Sequence, residues 1–166
     1  MIKDTFSFLI SRHQEKMLPT LLGGISDEQL AAQPIAGMNH PAWILGHLLV
    51  VEQKIARDIL GRPLKTTLDA NWWELYGIGS VPSADRKIYK NKAFYMDGLT
   101  ETANAIAAFV KEKTDADLEA PNPDPQLGQF FPTIAIALAV APTHRAYHSG
   151  QLATWRKAMA LPHAGM

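Results

Sequence analysis

The 166-residue sequence predicts an all-α protein, a four-helix bundle with a long connection between its second and third helices. Three observations carry that prediction. Four long stretches place apolar residues three or four positions apart. Clusters of glycine and proline separate them. No stretch of useful length alternates apolar and polar residues as a half-buried strand would. A chain of this length suits one domain with a real core, and nothing in it demands a second.

The first helix is expected over residues 3–22, where Phe6, Leu9, Ile10, His13, Met17 and Leu21 fall at helical spacing and Pro19 should bend or end it. Gly23 and Gly24 stop it. Ser26-Asp27-Glu28-Gln29 then reads as a capping box opening a short helix toward Leu30 and Ala32, closed by Pro34 and Gly37. Asn39-His40-Pro41 has the form of a helix start, a polar cap followed by proline in the first turn, where a missing N–H costs nothing. This second helix runs to about residue 60. Ile44, His47, Leu48, Val51, Ile55 and Ile59 share its inner side, Glu52, Gln53 and Arg57 point elsewhere, and Gly61 with Pro63 ends it.

Residues 62–83 read as a loop carrying Trp72, Trp73 and Tyr76, and a loop this long is functional or tied down by its aromatics. The third helix is expected over residues 85–113, with Met96, Leu99, Ala103, Ile106 and Val110 at near-heptad spacing. Thr114 and Asp117 cap a short turn, and Pro121, Pro123 and Pro125 forbid helix until about residue 129. The fourth helix, residues 131–159, contains Pro142, which should kink it just ahead of His144. Ser26-Asp27-x-x-Leu30-x-Ala32 is echoed by Thr114-Asp115-x-x-Leu118-x-Ala120, each ahead of a proline and a histidine-bearing helix. That echo hints at two related helical hairpins.

Composition removes several functions. Lys plus Arg and Asp plus Glu number 16 each, so no basic stripe is available to neutralise phosphates and nucleic acid binding is not expected. The absence of cysteine rules out disulfides, thiolate ligands and a cysteine nucleophile, so any metal must be held by nitrogen and oxygen. The first residues lack the pattern of a secretory signal, and no apolar run reaches the roughly 20 residues of a spanning helix. A soluble, cytoplasmic protein without a membrane partner is the expectation.

The chemistry is expected at three histidines. His144 and His148 are separated by four residues, so both rings leave one face of the fourth helix, the face marked as core by Ile134, Ala137, Ala141, Leu152 and Trp155. His47 is inward on the second helix. Buried imidazoles must satisfy a donor and an acceptor each, or give their lone pairs to a shared metal ion. Three neutral protein ligands with an open position are the pattern of catalytic zinc, and Zn, Ni, Fe and Mn all suit imidazole. The plain alternative is that each ring is a core residue bonded to a backbone carbonyl.

The segment Gly37-Met38-Asn39-His40-Pro41-Ala42-Trp43-Ile44-Leu45-Gly46-His47-Leu48, with His144-Arg145-Ala146-Tyr147-His148-Ser149-Gly150-Gln151-Leu152 about a hundred residues later, resembles the DinB/YfiT-like superfamily of metalloenzymes. Element order agrees over nearly the whole chain. The resemblance implies a four-helix bundle, commonly a homodimer, with a divalent metal such as Ni or Zn on His47, His144 and His148. Family sequences often carry arginine or another residue where Ser149 stands, a departure that does not touch the ligands. The family includes enzymes that transfer or isomerise with low-molecular-weight thiols, and others described as metal-dependent hydrolases.

Further residues have double readings. Gln151, three positions after His148, either orients a ligand or sits on the helix surface. His13 is a candidate partner or extra ligand from the first helix. Trp43 and Trp155 either wall the pocket or pack the core, and Trp72, Trp73 and Tyr76 form a lid, bury their own loop or make a dimer contact. His40 is better explained by the helix start. A hydrolase would need a general base near metal-bound water. Glu52 is about 140° round the helix from His47, and Asp58 lies roughly 16 Å further along the axis. Glu15 and Glu74 are the other acids in question. The lack of a convincing base favours a transferase using an external small thiol over a hydrolase, with a non-catalytic metal-binding or stress-response bundle as the third reading.

Overall fold

The computed structural model describes residues 2–164, except for the side chains of Ile2, Ser11, His13 and Gln14. The role considered for the His13 ring therefore lies outside the described side chains. Among the described residues the chain is all-α, with one isolated antiparallel bridge between Pro121 and Thr133.

Helix α1 runs over Ile2–Arg12, passes through a π-helical turn, His13–Met17, and resumes over Leu18–Leu22. The wider turn just ahead of Pro19 places that proline in a first helical turn, where no N–H is needed, so the rod continues. The Ser26 box closes a single 3₁₀ turn, Glu28–Ala31, with the Ser26 N–H donating to Gln29 Oε1 at 2.9 Å and the Gln29 N–H donating back to Ser26 Oγ at 3.4 Å. Helix α2, Pro41–Lys54, is capped by His40 and followed by a second π-helical turn, Ile55–Ile59. Gly61, at φ 62°, takes the left-handed conformation that ends it.

The connection to the third long helix is longer than expected and not wholly irregular, because Trp72–Tyr76 forms a short helix, α3. Its Trp72 and Tyr76 are buried among Phe94 and Tyr95, which gives five residues enough core contact to hold a helical turn. Helix α4 spans Lys92–Glu112 rather than residues 85–113. Asp85 caps only a 3₁₀ turn, Arg86–Ile88, and Asn91 is the N-cap that starts α4, accepting from the Phe94 N–H. Between them buried Tyr89 keeps the chain extended, its hydroxyl accepting from the Ser83 N–H. Helix α5, Asp115–Glu119, opens on the Thr114/Asp117 capping box, and α6, Ile134–Ala158, starts at the Thr133 cap because Phe131 precedes a proline. Pro142 lies inside α6, where the Thr143 hydroxyl donates to the carbonyls of Ala139 and Val140. None of the described helices is long and apolar enough to cross a membrane.

Helix α2 packs against α4 and α6, and α1 against the same two. The core falls into two apolar clusters. One holds Leu45, Leu48, Tyr76, Tyr95, Leu99, Leu152 and Trp155, and the other Ile55, Ile59, Ala103, Ile106, Leu138 and Ala141. Between them on α2, α4 and α6 lies a buried polar belt of His47, Glu52, Thr102, Arg145, His148 and Ser149. Helix α2 has no solvent side along its first ten residues, and the 62–71 segment covers its far end, so Glu52 and Gln53 are buried rather than turned to water.

Candidate metal centre

His47 is delivered by a helix whose start is unusually well fixed. Pro41 sits in the first turn, and His40 Nδ1 accepts from the Trp43 N–H while its Nε2 donates to the Ser83 carbonyl at 2.8 Å. His40 is thus a buried histidine with both nitrogens satisfied, which is what a purely structural histidine looks like in this protein.

His47, His144 and His148 differ. Their Nε2 atoms face one another, with His144 Nε2 3.0 Å from that of His47 and 3.0 Å from that of His148. One ligand atom from each of the three lies within 4.8 Å of the others. The outer nitrogens of two rings are committed as donors, His47 Nδ1 to the Tyr76 carbonyl at 2.6 Å and His148 Nδ1 to Gln151 Oε1 at 2.8 Å. Asn39 Nδ2 donates to the same Gln151 oxygen at 3.2 Å, an assignment of both amides consistent with that oxygen facing the ring. With both protons on Nδ1, two Nε2 lone pairs point inward at a third nitrogen, and the three atoms share at most one proton. His144 Nδ1 is buried without a hydrogen-bond partner. This donor set fits a divalent metal, because a cation takes three converging lone pairs that protein hydrogen bonding leaves unmatched.

Burial first, and then the neighbouring rings, hold these groups neutral. The His144 pKa is pushed down to about 3 by burial, His148 and His47. His148 falls to about 4 through burial, opposed by the Gln151 bond and assisted by His47. Burial also lowers His47, with the Tyr76 carbonyl working the other way. Neutral imidazole is the ligating form.

A sequence profile of the DinB superfamily matches residues 10–152. The chain belongs to the DinB superfamily. It is also similar in structure to a conserved protein from Enterococcus faecalis, at 15% identity and a TM-score of 0.71, covering 95% of this chain and 96% of that one. At that identity the likeness speaks for the fold alone. No curated protein matches the chain.

The other expected residues separate. Trp43 stacks on the His47 ring, centroids 4.8 Å apart and planes within 8°. Gln151 holds His148, as described. Trp155 is spent on the core, its indole N–H donating to the Ala32 carbonyl at 2.7 Å. The loop aromatics part company: Trp72 and Tyr76 are buried, and Tyr76 reaches the centre through its backbone carbonyl, whereas Trp73 is half exposed and lines a cavity beside His47 and His144. Tyr147, edge-on to His148 at 5.0 Å, completes the surroundings and was not among the expected residues.

Sequence reasoning also missed the ion pair behind the centre. Arg145 Nε donates to Glu52 Oε1 at 2.5 Å, Arg145 Nη2 to Glu52 Oε2, and Nη2 also to the Leu99 carbonyl at 3.2 Å. Both side chains are buried, at 2% and 0% exposure. A signal existed. Leu45, Leu48, Glu52, Ile55 and Ile59 follow a 3–4 spacing along α2 and the π-helical turn after it, and Leu138, Ala141, Arg145, His148 and Leu152 follow it on α6, so opposite charges occupy core positions of two helices joined by the histidines.

The Tyr76 carbonyl comes close to α2 because Gly46 has no side chain: a Cβ there would clash with the edge of the Tyr76 ring, which is fixed by a 2.6 Å hydroxyl bond to Tyr95. Gly46→Ala is therefore expected to cost about 1–3 kcal/mol through overpacking. Because the ring and the carbonyl move together, the variant should also bind divalent metal more weakly. Urea unfolding and a zinc titration read both effects, and a variant matching wild type in the two measurements would remove this role for Gly46.

Proposed function

We propose that the chain is a divalent-metal-dependent enzyme, most consistent with a transferase that uses an external low-molecular-weight thiol. The observation that carries this reading is the pair of outer anchors, Tyr76 O and Gln151 Oε1, which leave the His47 and His148 Nε2 lone pairs directed at His144 Nε2. His47, His144 and His148 would hold the ion, with Ni or Zn suggested by the family resemblance and Fe or Mn also suited to imidazole. When bound, such an ion supplies Lewis acidity and lowers the pKa of a thiol or water that it contacts.

The chain's own residues do the rest. Tyr76 and Gln151 fix the tautomers, and Trp43 covers one face of His47. The cavity beside His47 and His144 has no carboxylate in its wall. Glu52 is committed to Arg145, and Glu15, Asp58 and Glu74 are exposed, so among the described residues no acid lines the cavity as the base a hydrolase needs. A thiol arriving from solution needs no such base once its proton is acidified, and with no cysteine in the chain it must come from outside. The resemblance supports a small-molecule substrate and a homodimer.

Protein purified without chelator or histidine tag is expected to carry about one divalent ion per chain, lost in His47→Ala, and to consume thiol in the presence of an electrophile. Elemental analysis and a free-thiol assay decide it. Background metal in the wild type would overturn the proposal, and metal-dependent ester or amide cleavage without thiol would replace transfer by hydrolysis.

A further inference from the structure

A cavity of about 280 Å³ opens beside the three histidines, with His47 and His144 in its wall. Its remaining walls come from α2 through Val51, from the π-helical turn after it through Ile55 and Ile59, from α6 through Val140, and from Phe131 and Trp73. Among the described lining residues the other polar groups are the Trp73 indole N–H, on a half-exposed side chain, and the Lys54 ammonium, which is engaged by Asp58 at 2.8 Å on side chains more than two-fifths exposed. Away from the imidazoles the wall offers no hydroxyl, amide, carboxylate or guanidinium. Ile78, 82% exposed, and Trp73, 51% exposed, also line it, so its apolar surface continues to solvent.

We infer that this cavity is the binding site for the uncharged, apolar body of the substrate, an aryl or alkyl group, whose polar end meets the histidine trio. The inference rests on the trio being the reaction centre and adds the class of molecule brought to it. A charged or strongly hydrogen-bonding body would lose its hydration against walls that, away from the Lys54 and Trp73 rim, return no side-chain hydrogen bond, a cost of several kcal/mol per group. An apolar body gains roughly 25 cal/mol for each Å² removed from water. Size sets the rest: aliphatic cavities near 150 Å³ admit benzene, so a volume near twice that accommodates one ring with a short chain. The two nitrogen-bearing rings sit at one part of the wall, which orients such a molecule with its functional group toward them.

The test uses two probes with one skeleton, n-butylbenzene and 4-phenylbutanoate, titrated into chelator-treated full-length protein and followed by calorimetry and tryptophan fluorescence. n-Butylbenzene is expected to bind at least tenfold more tightly than the carboxylate. Val140→Phe and, from the facing helix, Val51→Phe should each weaken n-butylbenzene by tenfold or more, with circular dichroism and zinc uptake unchanged. Equal or tighter binding of 4-phenylbutanoate would overturn the inference by making Lys54 an anion anchor. So would n-butylbenzene binding indifferent to both substitutions in folded variants, or no binding at all. Zinc titration of the same samples keeps the readings apart: absent zinc uptake with intact n-butylbenzene binding defeats the metal centre and leaves the cavity assignment standing, and the reverse result defeats the cavity assignment alone.

Discussion

Arg145→Met is expected to destabilise the protein by about 3–5 kcal/mol, a large part of the stability a domain of this size has to lose. The physical reason lies in Glu52, which has no exposure and finds its countercharge in Arg145. Removing the guanidinium leaves a carboxylate inside the bundle without its countercharge, and takes from the Leu99 carbonyl the donor it has beyond its own helix. The pair itself need not stabilise the fold, since taking two ions out of water cancels much of their attraction. The double variant Glu52→Leu/Arg145→Met is accordingly expected to recover most of the loss. Equilibrium urea unfolding of the wild type, both single variants and the double closes the cycle. A cost below about 1 kcal/mol for Arg145→Met would mean that Glu52 is not held in the buried setting described. Metal affinity adds a second reading. If the pair sets the register of α2 against α6, the apolar double variant regains stability without regaining full zinc affinity, because nothing directional then aligns His47 with His144.

The elements that follow simple periodicity and caps were legible in the sequence. Asn39-His40-Pro41 announced the start of α2, Thr114 and Asp117 formed the capping box their spacing implies, and the His144/His148 spacing put both rings on one face. Misreadings arose where local signals compete. Asp85 is as good a cap as Asn91, and only the burial of Tyr89 decides between them. Glu52 reads as outward in the sequence because charge usually marks the solvent face. Helix α2 is enclosed along its first ten residues and again at Glu52 and Gln53, however, and its buried charge is compensated from another helix 93 residues away. The carbonyl anchor on His47 was invisible for a different reason. Backbone groups carry no sequence identity, and the pointer to Tyr76 O is the missing side chain of Gly46, which makes sense only after α3 is packed.

His144→Leu is expected to separate what the histidine cluster does for stability from what it does for metal. In chelated wild-type protein the three rings are a liability in acid. His144 stays neutral in the folded state down to about pH 3 and His148 down to about pH 4, whereas in the unfolded chain both take up protons below about pH 6.5. The unfolded state then binds more protons, so stability is full above about pH 6.5 and falls as pH drops toward 4, on the order of 1 kcal/mol per pH unit and ring. Deleting one ring removes one such contribution, so whatever deficit His144→Leu shows at pH 7.5 should shrink or reverse by pH 4.5. Zinc gives the opposite ranking. A ligand bound only by the folded state adds about 2.7 kcal/mol at a hundredfold excess over its Kd, an increment expected for wild type and absent from the variant. Thermal melts of both proteins at the two pH values, with chelator and with zinc, contain the whole comparison. Parallel pH profiles would show that the His144 ring is not kept neutral by its surroundings, and equal zinc stabilisation of both proteins would place the bound ion somewhere other than on His47, His144 and His148. If both expectations hold, the histidine trio is explained by the metal: three lone pairs that cost the fold stability in acid are retained because a cation uses all of them at once.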